Sequence, residues 1–213
     1  MKKLLLLFIA LYAFGMQTTN ILSLSNNYAS IDKTIKKGKT GYVIHNDMII
    51  AKALSLGNKA KLLPFSKLKN TALATPIIKP QVNDKIIFGL YDFRKLIIAP
   101  TQLSYIKTKQ KYPNTTFISS DIFANYFTTK PTKKDFQNFC NNFNVGIIDF
   151  ILDKEYIVDC QSFAILDTKP TKTAKYTKPF FANYDNFTDS LFSFTPSNWI
   201  NYYKSMLKVA NGK

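Results

Sequence analysis

Seven glycines, two cysteines, one histidine and one tryptophan are all that the 213 residues contain, and Arg94 is the single arginine among 29 basic residues. So few glycines, none grouped, provide no phosphate-cradling loop. His45 is the one histidine and has no cysteine near it in sequence, so it makes neither a zinc site nor an obvious triad and reads as a structural histidine on a strand. The near absence of arginine removes the bidentate fork that phosphates and base edges favour, which argues against nucleic acid as a partner. The formal net charge of +16 is carried by scattered lysines. Such a charge still draws the chain toward anionic surfaces. No apolar run reaches the roughly 20 residues that a spanning helix requires.

What is present begins at the N-terminus. Met1, Lys2 and Lys3 precede the eleven-residue apolar run LLLLFIALYAF, the pattern of a secretory signal, and the small residues Ala13 and Gly15 suit cleavage after Gly15. No cysteine follows the run to take a lipid anchor. The expectation is an exported protein of the cell surface, outer envelope or periplasm, with residues 1–15 as signal peptide and residues 16–39 as an extended, loosely held leader.

From Gly41 the texture becomes β. GYVIH, MIIAKALSL, KAKLLPF, KIIFGLY and KLIIAPT are separated by turn-like breaks, and Pro76 and Pro80 mark a loop between the third and fourth. Residues 40–100 are therefore expected to form a small SH3-like or OB-like β-barrel. Residues 102–111 read as a helix and TTFIS as a strand. Ser120 is expected to cap a helix with Ile122, Phe123, Tyr126 and Phe127 on one side.

The most legible stretch is 131–166. Thr132 and Asp135 have capping-box spacing, and Phe136, Phe139, Cys140 and Phe143 follow at helical intervals on one stripe. VGIIDFIL and YIVDCQSFAIL then read as a β-hairpin whose second strand turns Tyr156, Val158 and Cys160 to the dry side and Ile157, Asp159 and Gln161 to a wetter one. Alternation sends Asp149, Asp153, Glu155 and Asp159 to the polar face or the turn as solvated carboxylates, not to a general acid/base pair. Cys140 and Cys160 fall on facing sides of adjacent elements; a disulfide and two buried thiols are both compatible with that placement. Neither catalysis, a metal nor a cofactor is indicated.

Residues 101–168 thus form an α/β part, and residues 169–213 a connector, an aromatic arm and a C-terminal helix. The connector TKPTKTAKYTKP is not expected to form core, whereas Phe180, Phe181, Tyr184, Phe187, Phe192 and Phe194 are expected to pack back. Ser197 is expected to cap a helix with Trp199, Tyr203, Met206, Leu207 and Ala210 on one face, and Asn211 with Gly212 to end it. Lys213 then carries an ammonium and a free carboxylate on one residue, the pair of charges a lysine-binding pocket recognises.

The strings KKGKTGYVIH, LLPFSKLKNTALATPIIKPQVNDKI, LIIAPTQLSY, DIFANYF and above all PTKKDFQNFCNNFNVGIIDFIL with YIVDCQSFAIL resemble the N-terminal domain of the bacterial plasminogen-binding protein A family, over roughly residues 37–166. The resemblance implies a non-enzymatic exported protein that captures host plasminogen through the lysine-binding kringles of that zymogen. Longer members of the family carry a charged helical tail ending in lysine; here Lys213 corresponds by role and not by alignment. The expectation is an α+β surface adhesin whose plasminogen contact is Lys213, with an envelope structural or assembly module as the alternative.

Overall fold

The computed structural model describes residues 15–65, 78–126, 130–172, 174–184, 196 and 198–207. The signal segment before Gly15, Phe127, Phe187, Phe192, Phe194, Ser197, Asn211, Gly212 and Lys213 lie outside them, as does most of the proline loop.

Period-two alternation builds the first unit. Strands β1 (Gln17–Ser25), β2 (Tyr28–Ile31), β3 (Thr40–His45), β4 (Met48–Ser55), β5 (Lys59–Pro64) and β6 (Lys85–Phe88) close into an antiparallel barrel of order β1-β2-β5-β4-β3-β6. Closure is the pairing of Gln17 with Phe88 through Asn20 with Lys85. Ile21, Ile31, Val43, Leu62, Ile86 and Phe88 point inward, with Ala29, Ala51, Ala53 and Ala60 leaving room for them. Gly41 is required by the same packing, since a Cβ there would sit 2.7 Å from the Phe88 ring. Asn46 and Asp47, at φ 46° and 61°, supply the left-handed turn between β3 and β4.

Two expected boundaries change. The leader is not loose: residues within 16–39 form β1 and β2, whose inward side chains Thr19, Ile21, Ala29 and Ile31 are buried. The fifth expected barrel strand, β7 (Arg94–Ile98), instead enters a second sheet. Each of its last four residues is buried, so it needs cover on both faces, which an outer wall of a barrel does not supply.

That sheet has the order β11-β10-β9-β7-β8, with β8 (Thr116–Ile118), β9 (Ile147–Ile151), β10 (Glu155–Asp159) and β11 (Ile165–Lys169). β7 runs parallel to β8 and β9, while β9, β10 and β11 form an antiparallel meander. The expected hairpin therefore has a third strand, and Phe163 at φ 61° lies in the turn that ends its second. One face carries α2 (Ser120–Ala124), α3 (Lys133–Phe143) and α4 (Trp199–Met206), joined in one core through Phe123, Phe136, Phe139, Phe150, Phe163 and Tyr203. The other face packs Ile97, Ala99 and Ile151 against Tyr105 of α1 (Gln102–Gln110).

The start of α3 is the expected capping box, Thr132 and Asp135 satisfying each other's backbone amides, a device that contributes about 1 kcal/mol. Its stripe is buried at Phe136, Phe139 and Cys140, and Cys140 is joined to Cys160 by a disulfide with a Cα–Cα distance of 6.1 Å. Caps elsewhere shift by one residue: Ser119, not Ser120, caps α2, and Asn198 caps α4. The connector also contributes to the core. Tyr176 is buried and donates its hydroxyl to the carbonyls of Ile98 (3.1 Å) and Ile151 (2.8 Å). Phe180 is buried beside it in the same core, whereas Tyr184 stays 76% exposed.

Candidate functional site

Charge collects where the barrel meets the second sheet. At the end of β10, Asp159 accepts from the Thr40 amide at 2.8 Å and the Thr40 hydroxyl at 2.7 Å, and also from the amides of Gln161 and Ser162. Ser162 donates to the Gly38 carbonyl at 2.6 Å, and Lys52 of β4 donates to Asn141 at 2.6 Å. Gly146, just before β9, donates to the carbonyls of Tyr91 and Arg94. A Cβ at Gly146 would come within 2.5 Å of the Tyr91 carbonyl, so glycine permits this approach of two backbones. Together these contacts dock one unit on the other.

Beside the seam lies a groove of about 820 Å³, lined by Gly15, Gly89, Leu90, Asp92, Phe93, Lys95, Tyr112, Asp167 and Lys169, among others. Behind its wall stands a layer of ion pairs. Lys95 lies 3.3 Å from Asp149, Lys111 lies 2.6 Å from Glu155, and Lys39 lies 3.0 Å from Asp92. Tyr112 organises them: its hydroxyl donates to Glu155 at 2.7 Å and accepts from Lys169 at 2.9 Å. Lys95 and Lys169 also rest against its ring, 4.0 and 4.8 Å from the centroid.

Burial sets the electrostatics. Complete burial pushes the Asp149 carboxyl up to about 6 against the pull of Lys95, and one of its oxygens has no hydrogen-bond partner among the described residues. Burial likewise raises the carboxyls of Asp92 and Asp159, and it raises the Tyr112 phenol, helped by the Glu155 hydrogen bond. The hairpin carboxylates are therefore not solvated as alternation implied: Asp149, Glu155 and Asp159 are buried because Lys95, Lys111, Tyr112 and Thr40 cover that face. Asp153 alone stays at the surface, paired with Lys204 at 2.6 Å. This layer holds its carboxylates fixed against cations.

His45 reaches Asp84, 2.7 Å away and remote in sequence. Among the described residues no three His, Cys, Asp or Glu side chains converge as for a metal ion, and no helix is long and apolar enough to cross a membrane. Lys213 lies outside the described residues, but lysines are exposed throughout the fold, including Lys59 and Lys61 on β5, Lys107 and Lys109 on α1, and Lys154 between β9 and β10. Each presents an ammonium group on a flexible stem, the cationic half of what a lysine-binding pocket takes.

The family model described as "Plasminogen-binding protein pgbA N-terminal" matches residues 17–207. Two similar curated proteins, each named plasminogen-binding protein PgbA, come from Helicobacter pylori strains J99 and 26695. Each is 27% identical over 183 residues, an alignment that covers 81% of this chain and 41% or 40% of the relative. The chain thus spans about two-fifths of the length of the curated relatives it matches. No solved structure matches at a significant level.

Proposed function

The chain belongs to the plasminogen-binding protein PgbA N-terminal family, and from that premise we propose that it captures plasminogen, without enzymatic activity of its own, as an exported protein of the cell surface or outer envelope. The observation that carries the reading is the match across residues 17–207, which takes in both the barrel and the second sheet. Capture works through lysine: an ammonium group enters an aromatic-lined, acidic pocket of a kringle, held by charge-assisted bonds and cation–π attraction. Lys213 and the exposed internal lysines are the candidate contacts.

The test immobilises the chain and measures plasminogen binding with and without a soluble lysine analogue, beside a variant lacking Lys213. Binding abolished by the analogue supports lysine recognition; loss on deletion assigns it to Lys213, and retention assigns it to internal lysines. Absence of saturable binding at physiological salt overturns the reading. A second reading, an envelope assembly module with no plasminogen role, is favoured by coverage alone: the relatives bearing the name are more than twice as long as the aligned region. Affinity for another envelope component, with none for plasminogen, would select it.

A further inference from the structure

We propose that the outer wall of the barrel formed by β2, β5 and the turn between β4 and β5 is a basic, amphipathic face that seats on an anionic lipid surface. The inference stands apart from plasminogen capture. Residues 15–65 hold seven lysines and two acids, Asp32 and Asp47, and with Lys39 paired to Asp92 and Lys52 turned to Asn141 across the seam, five lysines remain for the barrel's outer surface.

Strand register places the charges. Antiparallel partners point to the same face; Tyr28 pairs with Lys61, Lys61 with Leu54, and Ser30 with Lys59, while Ala29, Ala53 and Ala60 face inward. The wall thus interleaves ammonium groups with apolar side chains. Tyr28 is 43% exposed, Leu56 41% and Leu63 39%. Leu56 lies in the turn closed by the hydrogen bond its amide donates to the Lys59 carbonyl, and the Lys37 stem passes 3.7 Å from where a Gly57 Cβ would lie, bringing a further cation to the same end.

Two acids stand against them, and both lie at the margins of the wall: Asp32 keeps its charge just past the end of β2. The Asp32 carboxylate is occupied by the Thr19 hydroxyl and by the amide groups of Asn20, and Asp47 sits in the turn at the other end of β4 from Leu56. Lysines that flank exposed Leu and Tyr match the chemistry of a lipid headgroup layer: the ammoniums meet phosphates while the aliphatic groups and phenol enter the interface. A nucleic acid fits less well, because the wall has no arginine and no aromatic-lined channel for a strand.

The experiment measures partitioning of the full chain onto vesicles of phosphatidylcholine alone and of phosphatidylcholine with about one-third phosphatidylglycerol. The ratio of the two removes the apolar contribution of the N-terminal run, and the share of Lys2 and Lys3 is common to every variant compared. The expected result is a preference for anionic vesicles that K59E/K61E lowers roughly tenfold or more, that Y28S/L56S also lowers, and that K107E/K109E, an equal charge change on α1, leaves within about twofold. The milder K59Q/K61Q replaces the reversal if the latter unfolds by circular dichroism. Equal losses at both lysine pairs, or no preference in the unaltered chain, overturns the proposal. So does loss of plasminogen capture by K59E/K61E with the lipid preference unchanged, which reassigns the wall to protein binding.

Discussion

The Asp159 carboxylate holds both the amide and the hydroxyl of Thr40, a residue 119 positions earlier, and so joins the end of β10 to the start of β3. Replacing Asp159 by alanine removes four hydrogen bonds from a site that is 3% exposed and leaves half-buried amides unpaired. The expected loss is about 2–4 kcal/mol in urea denaturation. T40A, which deletes only the hydroxyl, should cost about 1 kcal/mol, and equal costs would show that the seam does not depend on this carboxylate.

Asp149 makes stability depend on pH. Its folded pKa of about 6 lies above the ordinary 3.8, so between those values the folded chain keeps a proton that the unfolded chain has released. The stabilisation from this group is therefore fully present below about pH 4 and is lost as pH rises through 6, up to roughly 3 kcal/mol in all. Denaturation midpoints measured from pH 4 to 7.5 should show D149N with a flatter profile than the unaltered protein over that window. Parallel profiles would remove Asp149 as the titrating group.

The bond between Cys140 and Cys160 closes a loop of 20 residues. Reduction, or the pair C140S/C160S, should lower stability by about 3 kcal/mol in the chain-entropy description. A thiol assay on the unfolded, unreduced protein should find none, and two reactive thiols would contradict the bond.

Phe136 anchors α3 in the aromatic core, with ring centroids 4.5 Å from Phe123, 5.5 Å from Phe150, 5.8 Å from Phe163 and 6.3 Å from Tyr203. Phe136→Ala should cost about 3–5 kcal/mol. Phe143→Ala, at the half-buried end of the same stripe, should cost less than half as much; similar midpoints for the two would show that the core does not centre on α3.

What could be read beforehand was what is encoded locally. The α3 cap and stripe lie within twelve residues, 132–143, and the cap geometry and helical spacing agree there. β1 was hidden because Thr19 is among its inward residues, so its alternation is masked by a polar side chain that the barrel buries. The candidate site was not legible for another reason. Lys95 meets Asp149 across 54 positions, Lys111 meets Glu155 across 44 and Tyr112 meets it across 43. A carboxylate on a strand reads as wet until the lysine and phenol that cover it are known. Tyr176 was misjudged similarly, since a single phenol in a Pro/Thr/Lys segment gives no sign that two carbonyls of the sheet await it.

The pairing of β1 with β6 also means that the barrel closes only when its first and last strands meet. The strand that opens the barrel begins at Gln17 and its closing partner ends at Phe88, so a chain emerging N-terminus first must hold β1 with one bare edge until some seventy further residues have followed. During that interval the edge is a template for pairing with another chain. A truncation that removes β1 would leave the edges of β2 and β6 bare for good, and the cost would show as aggregation during production as well as a lowered melting temperature.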